Sequence, residues 1–96
     1  MPRLIWTPSS SRDLRRLHDF LAPKDRKAAI RAIKTIRQRL QALASHPEMG
    51  RPIDEPLPGR RELVIDFGQS SYVALYQHDG EHVTVLAVRH GREAGY

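Results

Sequence analysis

The chain has 96 residues, 40% of them hydrophobic, which is enough for one small domain with a single core. It contains no cysteine, so disulfides, thiolate metal sites and thiol catalysis are excluded. No apolar run of about 18 residues occurs, and the N-terminus lacks the long apolar core of a secretory signal. We therefore expect a cytoplasmic protein with no membrane partner.

Charge is distributed unevenly along the chain, whose net charge is +5. Residues 1–45 hold 11 Lys and Arg against 3 Asp and Glu, whereas residues 46–96 hold 5 against 8. Of the 16 cations, 13 are arginines, whose planar guanidinium groups suit carboxylates and phosphates. The pattern favours a nucleic acid or an acidic protein segment as partner. The alternative is that these charges form solvated helix faces.

A short strand and a helix are predicted first. Residues 3–6 (RLIW) are typical of a strand. Thr7 then suits an N-cap and Pro8 the first helical position, where no amide hydrogen is needed. The helix is predicted to end near Leu21, because Ala22-Pro23 interrupts it. Its apolar face is formed by residues at helical spacing: Leu14, Leu17, His18 and Leu21.

A second, longer helix is predicted from Pro23 or Asp25 to about Ser45. Its apolar residues step by four, three, four and three positions, which places them on one stripe. The break between the two helices is short, so we expect an antiparallel helical hairpin packed on a sheet. The stripe consists of Ala29, Ile33, Ile36, Leu40 and Leu43.

The second half of the chain favours strands. Residues 46–59 hold four prolines and two glycines, which predicts an ordered loop. Residues 60–67 (RRELVIDF) alternate between apolar and polar, as in a half-buried strand. Residues 72–90 contain two runs rich in β-branched and aromatic residues around Asp79-Gly80, which predicts a β-hairpin with a two-residue turn. In that register Tyr76 pairs with Val83.

Both faces of the predicted hairpin are largely apolar, so each of them needs a cover. One face would pack on the helices, and the other would accept a further partner. The hairpin pattern alone does not decide which face takes which cover. Tyr72, Tyr76, Val85 and Arg89 lie on one face, and Val73, Leu75, Val88 and His90 lie on the second. The predicted element order is β-α-α-β-β-β. This is an α+β domain over residues 1–96, with a two-helix antiparallel hairpin on a twisted, mainly antiparallel four-stranded sheet.

Candidate chemical groups are few. His78 and His82 flank the hairpin turn without a third ligand, so we expect no metal and no other cofactor. The strand that begins at Arg61 and the strand that ends at His90 are predicted to bring those ends together. A histidine could then shuttle a proton on RNA while Arg61 and Arg92 stabilise the charged phosphorane. The alternative is structural pairing of the arginines with nearby carboxylates.

Six segments, taken in their order along the chain, resemble the sequence motifs of a known protein family. They are Trp6-Thr7-Pro8, Asp13-Leu14, HPEMGRP at 46–52, RELVI at 61–65, YVALY at 72–76 and VRHGR at 88–92. Together they resemble the RelE/ParE superfamily of type II toxin–antitoxin toxins, over nearly the whole chain. The resemblance implies a cognate antitoxin, whose acidic or partly disordered C-terminal segment wraps the toxin. The contacts expected on the hairpin are Tyr72, Tyr76, Val85 and Arg89.

Two branches of this superfamily imply different activities. RelE-like toxins are ribosome-dependent endoribonucleases that cut mRNA, and here Arg61, His90 and Tyr96 resemble the Arg/His/Tyr set of YoeB-type members. Glu48 would stand in for their general base. ParE-like toxins act on DNA gyrase and tend to have an H-x-R sequence, which residues 90–92 match.

The distribution of lysine favours the ParE-like branch. Ribonuclease members usually place basic residues on the sheet, whereas here Lys24, Lys27 and Lys34 all belong to the predicted helical half. The sheet half has a net negative charge, which suits a polyanion poorly. The sequence therefore predicts a ParE-like gyrase inhibitor, with a RelE-like ribonuclease and an inactive interaction module as alternatives.

Overall fold

Two helices cover one face of a five-stranded sheet in the computed structural model, which describes residues 2–53 and 58–92. The predicted α+β class and the helical hairpin are confirmed. The elements are β1 (Arg3–Trp6), α1 (Pro8–Leu21), α2 (Arg26–Gln41), a 3₁₀ turn (Ala42–Ala44), β2 (Arg51–Ile53), β3 (Arg60–Phe67), β4 (Ser70–His78) and β5 (His82–His90).

Both helices begin at side-chain caps: Thr7 was predicted as a cap, and Asp25 was one of the two predicted starts of the second helix. The Thr7 hydroxyl accepts a hydrogen bond from the amide of Ser10 at 3.1 Å and donates one to the carbonyl of Val85 at 2.8 Å. Thr7 therefore starts α1 and ties it to β5. The Asp25 carboxylate caps α2 by accepting from the amide of Ala28 at 3.0 Å.

The sheet has one more strand than predicted, in the order β1-β5-β4-β3-β2. The segment expected to be only a loop contains β2, which pairs antiparallel with β3. Proline at position 52 conceals this strand in the sequence, but an edge strand tolerates it because one side of its backbone has no partner. The first strand, β1, runs parallel to β5, whereas the other pairs are antiparallel.

The core lies between the helices and the inner face of the sheet, which is the face toward α1 and α2. Tyr72, Tyr76 and Val85 belong to this face and are only 1%, 0% and 0% exposed. These three side chains, which we expected to contact an antitoxin, are therefore packed in the core of the free chain. The two helices cover the face of the β-hairpin that carries Tyr72 and Tyr76. Burying these large aromatic side chains removes the most apolar area from water.

The hairpin turn is wider than predicted. His78 pairs with Val83, so four residues lie between the members of this last pair instead of the two predicted. The Asp79 carboxylate closes this connection by accepting from the amides of Glu81 and His82 at 2.9 and 2.7 Å. Those two hydrogen bonds keep the pKa of Asp79 below its ordinary value. The wider turn shifts the register by two residues, and Tyr76 pairs with Val85.

A β-bulge then exchanges the two faces of β5. Tyr76 pairs with Val85 and Leu75 with Ala87, which leaves Leu86 as the extra residue. Beyond Leu86 the alternation reverses, so Val88 pairs with Ala74 and lies fully buried in the core. The predicted placement of Val88 and His90 on the second face is therefore wrong. This bulge determines which face of the sheet carries each side chain at the end of β5.

Candidate functional site

Arg61 and His90 lie at opposite ends of the sheet. Arg61 pairs with Tyr76, whereas His90 pairs with Tyr72, four positions away along β4. The two residues are thus separated by about 13 Å along the strands and about 10 Å across them. Both β3 and β5 are antiparallel to β4, so they run parallel to each other. The start of one is therefore distant from the end of the other, and the predicted cluster is not assembled.

Arg61 instead holds the loop after the second helix. Its guanidinium donates hydrogen bonds to the carbonyls of Gly50 at 2.7 Å and Glu48 at 3.2 Å. The Tyr76 hydroxyl supports the same loop, donating to the carbonyl of Pro47 at 2.7 Å and accepting from the amide of Gly50 at 2.9 Å. Glu48 is therefore close to Arg61 and at the far end of the sheet from His90.

Replacing Tyr76 with phenylalanine should destabilise the domain by about 2 kcal/mol, because the amide of Gly50 and the carbonyl of Pro47 lose their partner in a buried place. Urea unfolding followed by circular dichroism would measure the change. Tyr72→Phe is the matched control, since no hydrogen bond joins its hydroxyl to any described residue. Equal unfolding free energies for the two variants would contradict a structural role for the Tyr76 hydroxyl.

His90 and Arg92 lie together beside Tyr72. The His90 ring meets the Tyr72 ring edge-on, with centroids 5.4 Å apart, and its Nδ1 accepts from the amide of Arg92 at 3.2 Å. The amide of Gly91 donates to the carbonyl of Ser71 at 2.7 Å, which anchors this segment to β4. Tyr96 lies outside the described residues, so the third member of the predicted ribonuclease set has no place in this geometry.

Asp13 is a buried carboxylate that binds the edge of β5 facing away from β4. Its Oδ2 accepts from the amide of Val88 at 2.9 Å and lies 2.5 Å from the Arg89 guanidinium. Arg16 lies 3.8 Å from the other oxygen. Arg89, expected to contact an antitoxin, is thus engaged within the fold. We assigned Asp13 no role from the residue pattern, although its place beside Leu14 on the buried helical face was a usable signal.

The outer face of the sheet, away from the helices, carries apolar side chains and charged side chains of both signs. Val64 on β3 is 53% exposed there, and Glu62 on the same face pairs with Arg51. None of the three lysines lies on this face, because Lys24 precedes α2 and Lys27 and Lys34 lie within it. The second apolar face predicted for the hairpin is only partly covered by the described chain, since Val73 and Leu75 are half-buried.

Across residues 2–53 and 58–92, no three His, Asp or Glu side chains converge in a way that could hold a metal ion. Within the same ranges, neither helix is long and apolar enough to cross a membrane.

The sequence of this chain is similar to those of known proteins. Residues 4–95 match the model of the family described as ParE toxin of type II toxin–antitoxin system, parDE. The chain belongs to the ParE toxin family. The predicted resemblance to the RelE/ParE superfamily is confirmed. Two toxins of Caulobacter vibrioides are similar to this ParE-family chain: Toxin RelE3, 35% identical and covering 90% of both chains, and Toxin RelE1, 37% identical and covering 88% of this chain and 87% of its own.

Two solved structures resemble this member of the ParE toxin family. The chromosomal ParDE toxin–antitoxin system from P. aeruginosa superposes with a TM-score of 0.77 at 24% identity, over 94% of this chain and 96% of its own. The RelBE2 toxin–antitoxin complex from Mycobacterium tuberculosis gives 0.63 at 26% identity, over 94% and 99%. Both come from toxin–antitoxin systems, and the first supports the fold alone.

Proposed function

We propose that this protein is a ParE-like toxin that inhibits DNA gyrase and is neutralised by a cognate antitoxin. The observation that supports this most is the separation of Arg61 from His90 at opposite ends of the sheet. The described residues then lack the predicted ribonuclease cluster.

A second candidate is a RelE-like ribosome-dependent endoribonuclease. The two Caulobacter relatives favour it, since both are named RelE toxins. Its residues would be His90 and Arg92, which lie together, with Arg61 distant from them. An inactive interaction module is the third alternative, and expression without growth arrest would indicate it.

Induction of the toxin with pulse-labelling of DNA and protein synthesis separates these functions. A gyrase inhibitor should reduce DNA synthesis first, and the purified protein should reduce supercoiling by gyrase. His90→Ala should leave both effects within about twofold of wild type, since no proton transfer by His90 is required. Early loss of translation, with codon-positioned mRNA cuts that disappear in His90→Ala, would overturn the gyrase proposal in favour of the ribonuclease.

A further inference from the structure

The exposed side of α2 carries a basic stripe, which consists of Lys27, Arg31 and Lys34. These residues step by four and three positions, so they lie on one line along the helix, opposite the buried Ala29 and Ile36. The line is about 10.5 Å long, since each residue of an α-helix advances by about 1.5 Å. Helix α2 contains six Lys and Arg and no Asp or Glu, so no acidic side chain on the same helix offsets this charge.

The carboxylates near the helices are engaged away from the basic stripe. Residues 8–41 hold 10 Lys and Arg against 3 Asp and Glu. Asp13 is buried against β5. Asp19 pairs with His18, and Asp25 caps the start of α2. No carboxylate of a described residue forms an ion pair with the basic stripe, so its three positive charges face solvent and can meet an outside partner.

The length and charge of the basic stripe fit the major groove of duplex DNA. That groove is about 12 Å wide and is bordered by the phosphates of both strands. Lys27 and Lys34, at the two ends of the stripe, can therefore each meet a phosphate on a different strand, with Arg31 between them. The major groove of duplex RNA is too narrow for such side chains to enter. Duplex DNA is thus the better match among nucleic acids.

Two other classes of partner fit the basic stripe less well. A helix that binds a lipid surface inserts its apolar face into the membrane, whereas α2 turns its apolar face to the core, with Ile36 and Leu40 fully buried. A protein interface is anchored by large apolar or aromatic side chains at its centre. On α2, every residue of which is described, Ile30 is the one large apolar side chain that is exposed.

We propose that the basic stripe binds the phosphate backbone of duplex DNA without reading its base sequence. Lysine and arginine contacts to phosphates position a protein on DNA but carry no sequence information. Gyrase acts on duplex DNA, so the stripe would hold the toxin on the DNA that its target binds. That last step rests on the proposed function, whereas the binding of free duplex DNA does not.

Fluorescence anisotropy on the purified full chain tests the basic stripe with labelled duplexes of about 20 base pairs, between about 50 and 200 mM salt. Three phosphate contacts should make the logarithm of the association constant fall with the logarithm of the salt concentration at a slope of about −2.7, because each contact contributes about −0.9. Two DNA duplexes of unrelated sequence should bind within about twofold of each other. Duplex RNA of the same length should bind at least about threefold more weakly.

Two variants and two controls locate the DNA contacts, all at exposed side chains. Arg31→Gln and Lys34→Gln should each reduce the steepness of the salt dependence by about one and weaken binding about eightfold at about 100 mM salt, since one phosphate contact is lost. Arg31→Lys should keep the slope because it keeps the charge. Arg3→Gln removes an exposed arginine on β1, away from the helices, and should leave the slope unchanged and the affinity within about twofold.

Four results would overturn the proposal. An equal loss of affinity in Arg3→Gln would show that DNA is attracted to the cationic chain as a whole. Unchanged binding by the double variant Arg31→Gln with Lys34→Gln would place the contacts elsewhere. Duplex RNA that binds as tightly as DNA would contradict the groove geometry. A poly-glutamate peptide that binds more tightly than DNA, and that loses affinity in the double variant, would make the stripe a site for an acidic protein.

The proposed function can fail separately, because the anisotropy assay contains no gyrase. Intact DNA binding without inhibition of gyrase would refute the proposed target alone. If the stripe holds the toxin on the DNA of its target, the double variant should inhibit gyrase supercoiling at least about fivefold more weakly than wild type. Full inhibition by a double variant that no longer binds DNA would overturn this role of the stripe and leave the target in place.

Discussion

Replacing Asp13 with alanine should destabilise the domain by about 3 kcal/mol, the largest effect we expect from one side chain outside the apolar core. Asp13 is 8% exposed, and its carboxylate accepts from the amide of Val88 while facing the Arg89 guanidinium. Strand β1 ends at Trp6, which pairs with Val85, so no neighbouring strand serves Val88 on this edge of β5. Alanine would leave the amide of Val88 without a partner and would remove the carboxylate that faces the Arg89 guanidinium.

Guanidinium chloride unfolding by circular dichroism would measure this loss. Asp13→Asn should cost about half as much, because an amide oxygen still accepts from Val88 but the charge opposite Arg89 is gone. Asp19→Ala is the matched control on the same helix, since the Asp19 side chain is 67% exposed and, among the described residues, forms an ion pair only with His18. It should change stability by less than about 0.5 kcal/mol. Similar losses for Asp13→Ala and Asp19→Ala would disprove the anchoring role.

Adding one methyl group at Gly50 should also cost about 2–3 kcal/mol. A Cβ there would lie 2.6 Å from the Tyr76 hydroxyl oxygen and 2.7 Å from the carbonyl oxygen of Glu62. The carbonyl cannot move away easily, because Glu62 belongs to β3 and is paired with a strand on each side. Gly50→Ala must therefore displace the loop that Arg61 and Tyr76 hold against the sheet.

A double variant tests whether the contact with Tyr76 causes this loss. Tyr76→Phe removes the oxygen closest to the new methyl group, so Gly50→Ala with Tyr76→Phe should be less destabilised than the sum of the single variants. Thermal and urea unfolding of all three would provide the comparison. Glu48→Ala, in the same loop with an exposed side chain, should be nearly neutral. Strict additivity would place the strain elsewhere.

The residues of the candidate site show what the residue pattern alone could predict. Arg61, His90 and Arg92 were identified by residue type and by their positions at strand ends, and they do lie at strand ends or just beyond. Whether these residues lie together depends on which strand ends meet. That is set by the directions of β3 and β5, which are separated by β4. His90 and Arg92 were grouped correctly because they are two residues apart, whereas Arg61 was misplaced because its relation to them is long-range.

The sequence by itself determined the local elements of this protein. Helical spacing, the cap at Thr7 and the alternation in β3 predict their elements, because each pattern lies within a few residues of the chain. The tertiary structure alone decided the rest: the parallel pairing of β1, the edge strand at Pro52, and the bulge at Leu86 that turns Val88 into the core. These features depend on contacts between distant residues, since burial on one face selects the register and strand direction determines which ends meet.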